Sequence, residues 1–342
     1  MLNQQKKIDN LPWLADIKDQ LSTLLSTGKC SHALLVHGRE GTGRRQLALW
    51  LAETMLGVDP LRAVGATNDD SGGAGHPDLC VIQPLTDKKT QKTKKSIGIE
   101  QIRETLIDEF LHLTSHGNSG RLAVIWPAES MTIDAANCLL KSLEEPPDDV
   151  YLILITESIR RLPPTIVSRC QRIRIPIPAR EEGLEWLQAE VPGADLGNLL
   201  DFAGGAPLAA LDLHQSSFAQ TADEYAADLR GLEQRQMSPV EVAGRWQANA
   251  DLALRWLDWR LSRRVRSCLV GPSDNASAET GGATGQTRAI QQTLQACFRQ
   301  MAQIRELRRL LNGGINAELS IAGLLMDWYG GLGRQESWTD YG

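Results

Sequence analysis

The segment from His32 to Gln46 constrains the fold more than any other part of this sequence. It contains an apolar run, HALLVHG, then a glycine-rich loop and the first residues of the apolar helix pattern RRQLALWLAETML. A short apolar run ending in glycine is typical of a buried parallel strand. Nucleotide-binding folds use a strand that leads through glycines into a helix N-terminus to hold phosphate groups. The segment therefore predicts a parallel sheet with a phosphate-type loop at the end of one strand.

Strands and helices alternate through the first half of the chain. The later segments DLCVIQP, RLAVIWP, VYLILIT and CQRIRIPI are predicted as the second to fifth strands. Between them, IEQIRETLIDEFLHL has an apolar helical face, and TIDAANCLLKSLEEPP is a helix that Pro146 and Pro147 end. Such alternation predicts an α/β domain, in which helices cover both faces of a parallel sheet.

After Pro178 the strand pattern disappears. REEGLEWLQAEV and LGNLLDFAGGAPLAALDLH predict short helices, and a longer helical segment follows, whose tryptophans we interpret as core or interface anchors: Trp246, Trp256 and Trp259. Residues 271–287 lack apolar side chains that could offset the entropy of ordering, which predicts a loop. We predict three domains, an α/β domain over 1–177, a small helical domain over 178–220 and an all-α domain over 221–342.

The composition excludes several classes of protein. The chain has 342 residues, of which 42% are hydrophobic, and a net charge of −6, so the whole surface does not attract nucleic acid. The N-terminal residues lack the apolar core of a signal peptide, and no apolar run reaches the roughly 20 residues of a membrane helix. The six cysteines form no CxxC pair, which favours reduced thiols. We expect a cytoplasmic protein without membrane contact.

The glycine loop has the spacing of a phosphate-binding loop but lacks two of its side chains. A working loop reads GxxxxGK[ST], in which lysine contacts the β- and γ-phosphates and the hydroxyl binds Mg²⁺. Gly38, Gly41 and Gly43 are present, but Arg44 replaces the lysine and Arg45 replaces the hydroxyl. Arg45 thus removes a metal ligand and places a cation there. We expect no Mg²⁺–ATP in this degenerate P-loop, and the residues leave open whether a metal-free nucleotide or an anion occupies it.

The third strand gives an independent test of the same site. Working ATPases of this architecture place a metal-binding acid and a water-orienting acid after this strand. Here Trp126 and Pro127 follow RLAVI, and neither can bind a metal or act as a base. We interpret Glu129, two residues further on, as a solvent-facing residue. The two losses together favour a loop that no longer hydrolyses ATP.

Several motifs resemble those of the bacterial clamp-loader AAA+ family. They are ANCLLKSLEEPP, LPPTIVSRCQ, HALLVHG, GTGRRQLA and HPDL, and the resemblance is dense from about residue 11 to 178 and thin beyond. It implies a RecA-like AAA+ module over 1–177, a small helical lid domain over 178–220 and a helical collar for oligomerisation over 221–342.

The resemblance also implies a function in DNA replication. It implies a non-hydrolysing stator subunit in a hetero-pentamer with gamma or tau and delta subunits, which places a sliding clamp on primed DNA. Such a chain is not an enzyme on its own but part of the DNA-directed DNA polymerase III holoenzyme, a nucleotidyltransferase complex. The motif Ser168-Arg169-Cys170 implies that Arg169 acts in trans as an arginine finger at a neighbour's ATP site. An ATP-hydrolysing AAA+ clamp-loader or related motor subunit is the alternative, but it needs metal ligands that Arg45 and Trp126 do not provide.

Two departures from the family bear on its cofactors. Members often carry four zinc-binding cysteines after the first helix, but residues 53–75 contain none, and His76 with Cys80 cannot complete a tetrahedral site. We therefore predict no zinc and no other metal. Active members carry an arginine that contacts the γ-phosphate from the lid, and Pro207 stands in that region here.

Two basic segments leave a DNA contact open. Five lysines lie between Lys88 and Lys95, and four arginines lie between Arg260 and Arg266. A solvated loop is the favoured interpretation of the first segment, and a solvated face or a subunit contact is favoured for the second.

Overall fold

The chain divides into two compact units in the computed structural model, unit 1 from Met1 to Asp212 and unit 2 from Leu213 to Gly342. The structure describes residues 11–57, 76–85, 96–111, 120–270, 283–311 and 315–331. The finer division into three domains, with boundaries at 177 and 220, stays a prediction.

Unit 1 contains a five-stranded parallel sheet. Its strands are β1 (Ala33–His37), β2 (Leu79–Ile82), β3 (Arg121–Ile125), β4 (Val150–Thr156) and β5 (Gln171–Arg174). They lie in the order β2-β3-β4-β1-β5, and Leu34 of β1 stands between Ile153 of β4 and Gln171 of β5. The five predicted strands and the α/β class are therefore confirmed.

Helices connect these strands. The α-helices of this unit are α1 (Ala15–Ser26), α2 (Arg44–Leu56), α3 (Ile99–Gln101), α4 (Ile133–Glu144), α5 (Pro164–Val167), α6 (Arg180–Glu190), α7 (Gly197–Phe202) and α8 (Pro207–Gln215), the last of which crosses the boundary at residue 212. Short 3-10 helices span Pro12–Leu14, Ala128–Ser130 and Ile159–Arg161, and a π-helix, Ile102–Leu111, continues α3.

The core of unit 1 lies on both faces of the sheet because side chains alternate along each strand. Ala33 and Leu35 belong to the cluster that includes α4 and the π-helix, through residues such as Leu139 and Leu106. On the other face, α2 packs against β1, β3 and β4. Thr132 begins α4, since its hydroxyl accepts a hydrogen bond from the Ala135 amide at 3.2 Å.

Every described element that lies wholly in unit 2 is a helix. The helices are α9 (Phe218–Glu233), α10 (Pro239–Trp246), α11 (Ala250–Val270), α12 (Ala283–Leu311) and α13 (Ala317–Gly331), with a 3-10 turn at Gln247–Asn249. Trp246 and Trp256 are buried, and both rings pack on Tyr225, at centroid distances of 5.0 and 5.5 Å. Their interpretation as core anchors is confirmed, whereas Trp259 is only half-buried.

One predicted loop is partly wrong. Helix α12 begins at Ala283, so the last five residues of the predicted loop over 271–287 are helical. No described helix combines the length and the apolar character that crossing a membrane requires.

Candidate functional site

The glycine loop connects β1 to α2 in a conformation that only glycine adopts easily. Gly41 and Gly43 have φ angles of +77° and +103°, in the left-handed region. Between them, Thr42 is fully buried, its hydroxyl donates to the Arg39 carbonyl at 2.7 Å, and its carbonyl accepts from Trp13 Nε1 at 2.7 Å. The loop is therefore held by hydrogen bonds within itself and from Trp13, and it connects a strand to a helix as the sequence predicts.

A cleft of about 380 Å³ lies beside this loop. Its walls come from the loop, the first turn of α2, the segments after β3 and β4, and α8. The lining residues are Glu40, Gly41, Gly43, Arg44, Arg45, Gln46, Trp126, Pro127, Glu129, Glu157, Leu208 and Asp212. The structure thus brings together the degenerate loop and the altered end of the third strand, the two features that the sequence linked to lost ATP chemistry.

Arg45 and Trp126 contact each other in this cleft. The Arg45 guanidinium carbon lies 4.8 Å from the centroid of the Trp126 ring, a cation–π geometry. Burial lowers the pKa of Arg45 from its usual value. A cation at the position of the Mg²⁺-binding hydroxyl thus packs on an indole at the position of the metal-binding acid. At these two positions a guanidinium and an indole therefore offer no ligand for a magnesium ion.

Four carboxylates line the same cleft. They belong to Glu40, Glu129, Glu157 and Asp212. With two guanidinium groups, from Arg44 and Arg45, the cleft has a formal excess of two negative charges (four minus two). Burial lowers the pKa of Arg44, while Glu129, Glu157 and Glu40 raise it. The carboxylates thus attract the Arg44 guanidinium, which a phosphate would otherwise bind.

The interpretation of Glu129 as solvent-facing is wrong. Glu129 is half-buried, and its Oε1 accepts a hydrogen bond from the Glu157 amide at 3.1 Å. The short helix Ala128–Ser130 turns the side chain back toward the end of β4. Glu129 therefore joins the segments that follow β3 and β4.

Helix α8 lies directly on the glycine loop. The Leu208 amide donates to the Gly41 carbonyl at 3.1 Å, and a Cβ placed on Gly41 would lie 2.4 Å from Ala209 Cβ. Pro207 is buried at the start of α8. The start of α8 that covers Gly41 is therefore apolar.

The Ser168-Arg169-Cys170 motif lies between α5 and β5, and its three side chains have different surroundings. The Ser168 hydroxyl donates to the Thr165 carbonyl at 3.1 Å. Cys170 is buried in the core of unit 1, and burial raises the pKa of its thiol to about 11. Arg169 is 34% exposed, and it alone of the three places a charged group at the surface. The structure thus gives Cys170 a packing role and places the Arg169 guanidinium at the surface, and the action of Arg169 on a neighbour stays a prediction.

Arg169 and the glycine loop lie at opposite ends of the strands, one at the amino end and the other at the carboxyl end of the sheet. The loop follows the carboxyl end of β1, whereas Arg169 precedes the amino end of β5, the neighbouring parallel strand. Ligands of open α/β sheets bind at the carboxyl edge. Arg169 therefore belongs to a separate site from the cleft of its own chain.

The metal-binding candidates serve local structure. His76 Nδ1 accepts a hydrogen bond from the Asp78 amide at 3.1 Å, and burial raises the pKa of the Cys80 thiol to about 12. Within the described segments, no group of three or more His, Cys, Asp or Glu residues is placed to hold a metal ion. The absence of zinc and of other metals stays a prediction.

The basic segments are described only in part. Lys88 to Lys95 lie outside the described residues. Arg260 lies over the Trp256 ring at 5.3 Å, and Arg263 lies over the Trp259 ring at 5.0 Å. Two arginines of the second segment thus pack on rings of their own helix, and the solvated face or subunit contact stays a prediction.

Known proteins resemble this chain over most of its length. The family model described as DNA polymerase III, delta subunit matches residues 13–179. DNA polymerase III subunit delta' of Pseudomonas aeruginosa is 33% identical over 263 residues, which are 74% of this chain and 76% of the relative. The corresponding subunit of Yersinia pestis is 32% identical over 270 residues, 73% of this chain and 76% of the relative. A DNA polymerase III subunit gamma of Buchnera aphidicola is 28% identical over 173 residues, 49% of this chain and 45% of the relative.

The match to the subunits named delta' agrees with the geometry above. It extends over about three quarters of both chains, and the family model falls entirely within unit 1, which carries the sheet, the cleft and Arg169. The chain therefore belongs to the DNA polymerase III delta' subunit family.

Proposed function

We propose that this chain is a clamp-loader subunit that does not hydrolyse ATP itself and that supplies Arg169 to the ATP site of a neighbour. It assembles with gamma or tau and delta subunits in a cytoplasmic hetero-pentamer. Through that complex it helps to place the sliding clamp on primed DNA during replication. The Arg45–Trp126 contact in the cleft is the single observation that carries the first part of the proposal, that this chain does not hydrolyse ATP itself.

The cleft is unsuited to Mg²⁺–ATP for three physical reasons. Arg45 and Trp126 take the positions of the two metal-binding groups. Four carboxylates against two guanidinium groups repel a polyphosphate. The start of α8 rests on Gly41 and presents no cation to a γ-phosphate. The alternative, an ATP-hydrolysing motor subunit, needs all three features to be different.

Calorimetric titration tests this part of the proposal. The isolated chain should give no micromolar binding of ATP in the presence of magnesium, and a purified gamma subunit in the same buffer is the positive control. A second titration without magnesium tests for a metal-free nucleotide in the loop. Magnesium-dependent binding in the micromolar range would contradict the proposal.

The second part of the proposal is based on the chemistry and position of Arg169. A guanidinium stays charged and offers two parallel N–H donors to phosphate oxygens. Arg169 is partly exposed and lies at the amino edge of the sheet, away from the cleft of its own chain. An arginine supplied in trans to a single site is worth roughly 10³–10⁵ in rate. A ring with several ATP sites should lose less, because only the adjacent site lacks its finger.

Reconstituted complexes test the role of Arg169. Arg169→Ala should fold and assemble normally but lower the clamp- and DNA-stimulated ATPase rate and the rate of clamp loading. Arg169→Lys should restore little, since it offers a point charge and not a fork. Arg172→Ala, which removes an exposed arginine three residues further on, is the matched control. If complexes with Arg169→Ala load clamps at the wild-type rate, Arg169 is only a surface arginine.

A further inference from the structure

Arg169 is already bound within its own chain. Its Nε donates to Glu144 Oε1 at 2.6 Å, and Nη2 donates to the same oxygen. Nη1 donates to the Thr165 carbonyl at 3.0 Å. The carboxylate therefore takes the Nε–Nη2 edge of the guanidinium, one of the edges that can bind two phosphate oxygens side by side.

The position of Glu144 explains this contact. Glu144 is the last residue of α4 and the first glutamate of the LEEPP motif, and Thr165 lies in α5, just before Arg169. The α4 and α5 helices pack against each other in the core of unit 1. The two helices thus place the Glu144 carboxylate and the Thr165 carbonyl within hydrogen-bond distance of the guanidinium. Both side chains of the ion pair are partly exposed, 34% for Arg169 and 50% for Glu144.

We propose that Glu144 is a positioning residue that holds Arg169 against its own subunit until a neighbour's γ-phosphate displaces the carboxylate. This inference rests on the proposed role of Arg169 in trans. A carboxylate and a phosphate are both anionic acceptors that bind the same edge of a guanidinium, so the two compete for it. Glu144 therefore keeps the Arg169 side chain ordered. It also keeps the Nε–Nη2 edge of the guanidinium from binding a neighbour until a γ-phosphate displaces the carboxylate.

The exposure of the pair sets the size of the effect. Exposed ion pairs are weak, and the loss of one changes an equilibrium by about 1.5- to fivefold. Glu144→Gln removes the charge but keeps the length and an acceptor oxygen, so it weakens the hold on Arg169 without opening a cavity. Turnover at the adjacent ATP site should rise about 1.5- to fivefold without clamp and DNA, where engagement of the finger is incomplete. The ATPase rate of the whole ring should rise by less, because only that site faces Arg169. The maximal rate with clamp and DNA should stay unchanged.

A double-mutant cycle in reconstituted complexes tests this proposal. The variants are Glu144→Gln, Arg169→Ala and the double variant, with Glu145→Gln as the matched control, because Glu145 carries the same charge one residue further on and is exposed. Each complex is assayed with and without clamp and DNA. Glu144→Gln should raise the unstimulated rate when Arg169 is present and should have no effect in the Arg169→Ala background. Glu145→Gln should match wild type.

Each other outcome overturns the proposal. An unchanged unstimulated rate in Glu144→Gln means that the carboxylate does not compete with the phosphate. A lower rate only when Arg169 is present means that Glu144 aids the finger and does not withhold it. Equal effects in both backgrounds mean a structural role unrelated to Arg169. These results are separate from failure of the proposed function, which appears as an Arg169→Ala complex with wild-type clamp loading.

Discussion

Replacement of Gly41 by alanine tests whether α8 rests on the glycine loop in solution. Gly41 has a φ of +77°, where an alanine costs about 1–2 kcal/mol. A Cβ there would also lie 2.4 Å from Ala209 Cβ and 2.6 Å from Ala209 N. Because Ala209 N is a backbone atom, a change of rotamer cannot relieve this contact, so overpacking adds about 1–3 kcal/mol. The total expected loss of unfolding free energy is about 2–5 kcal/mol.

Gly28→Ala is the matched control for Gly41→Ala. Gly28 has a φ of +64°, but no atom lies within 4 Å of a Cβ placed there. It should therefore lose only the backbone contribution of about 1–2 kcal/mol. Urea unfolding followed by far-UV circular dichroism gives the two losses, and hydrogen exchange shows whether the amides of α8 become less protected in Gly41→Ala. If Gly41→Ala matches Gly28→Ala in both measurements, α8 does not lie on the loop.

Two further predictions concern acidic residues of unit 2, buried Asp228 and half-buried Glu233. Asp228→Ala removes the acceptor of Trp246 Nε1, which lies 3.0 Å from Asp228 Oδ2, so it should lower the unfolding free energy measured in urea by about 1–3 kcal/mol. Asp251→Ala breaks an exposed ion pair and should lower it by less than about 1 kcal/mol. Equal losses in the two variants would contradict the burial argument. Burial raises the pKa of Glu233 to about 7, from roughly 4.3 in an unfolded chain. The contribution of Glu233 to the free energy of unfolding is therefore fully present below about pH 4.3 and is lost as the pH rises through about 7. Unfolding midpoints measured across this range should depend less on pH in Glu233→Gln, and an unaltered slope would refute the assignment.

Four of the five strands, β1 to β4, could be predicted because each is a short apolar run, whereas β5 at the edge of the sheet buries only Ile173. Buried parallel strands need apolar side chains on both faces, and a run such as VYLILIT satisfies this without any knowledge of its neighbours. The start of α12 could not be predicted in the same way. Residues 283–287 are small or polar, and the helix continues into them from the apolar segment that follows. Composition alone does not reveal such continuation.

The altered loop could be predicted from the sequence, but its surroundings could not. Arg44, Arg45 and Trp126 stand at positions that the motif spacing defines. The carboxylates that face them come from separate elements, and no spacing connects Glu40, Glu157 and Asp212 in the sequence. The contact between Glu144 and Arg169 likewise joins residues 25 positions apart. These contacts depend on strand order and helix packing, which bring together residues that are far apart in the sequence. A local sequence pattern does not reveal such contacts.

The polarity of the sheet has a consequence for the evolution of such a chain. The cleft lies at the carboxyl edge and Arg169 lies at the amino edge, so the two groups of residues have no side chain in common. On the proposed function, Arg169 at the amino end reaches an ATP site at the carboxyl end of a neighbouring module, as in a heterologous, head-to-tail assembly. Substitutions that abolish nucleotide chemistry at one end of the sheet therefore leave the arginine at the other end intact. On that proposal, such a chain can lose ATP hydrolysis of its own and still supply the arginine to its neighbour.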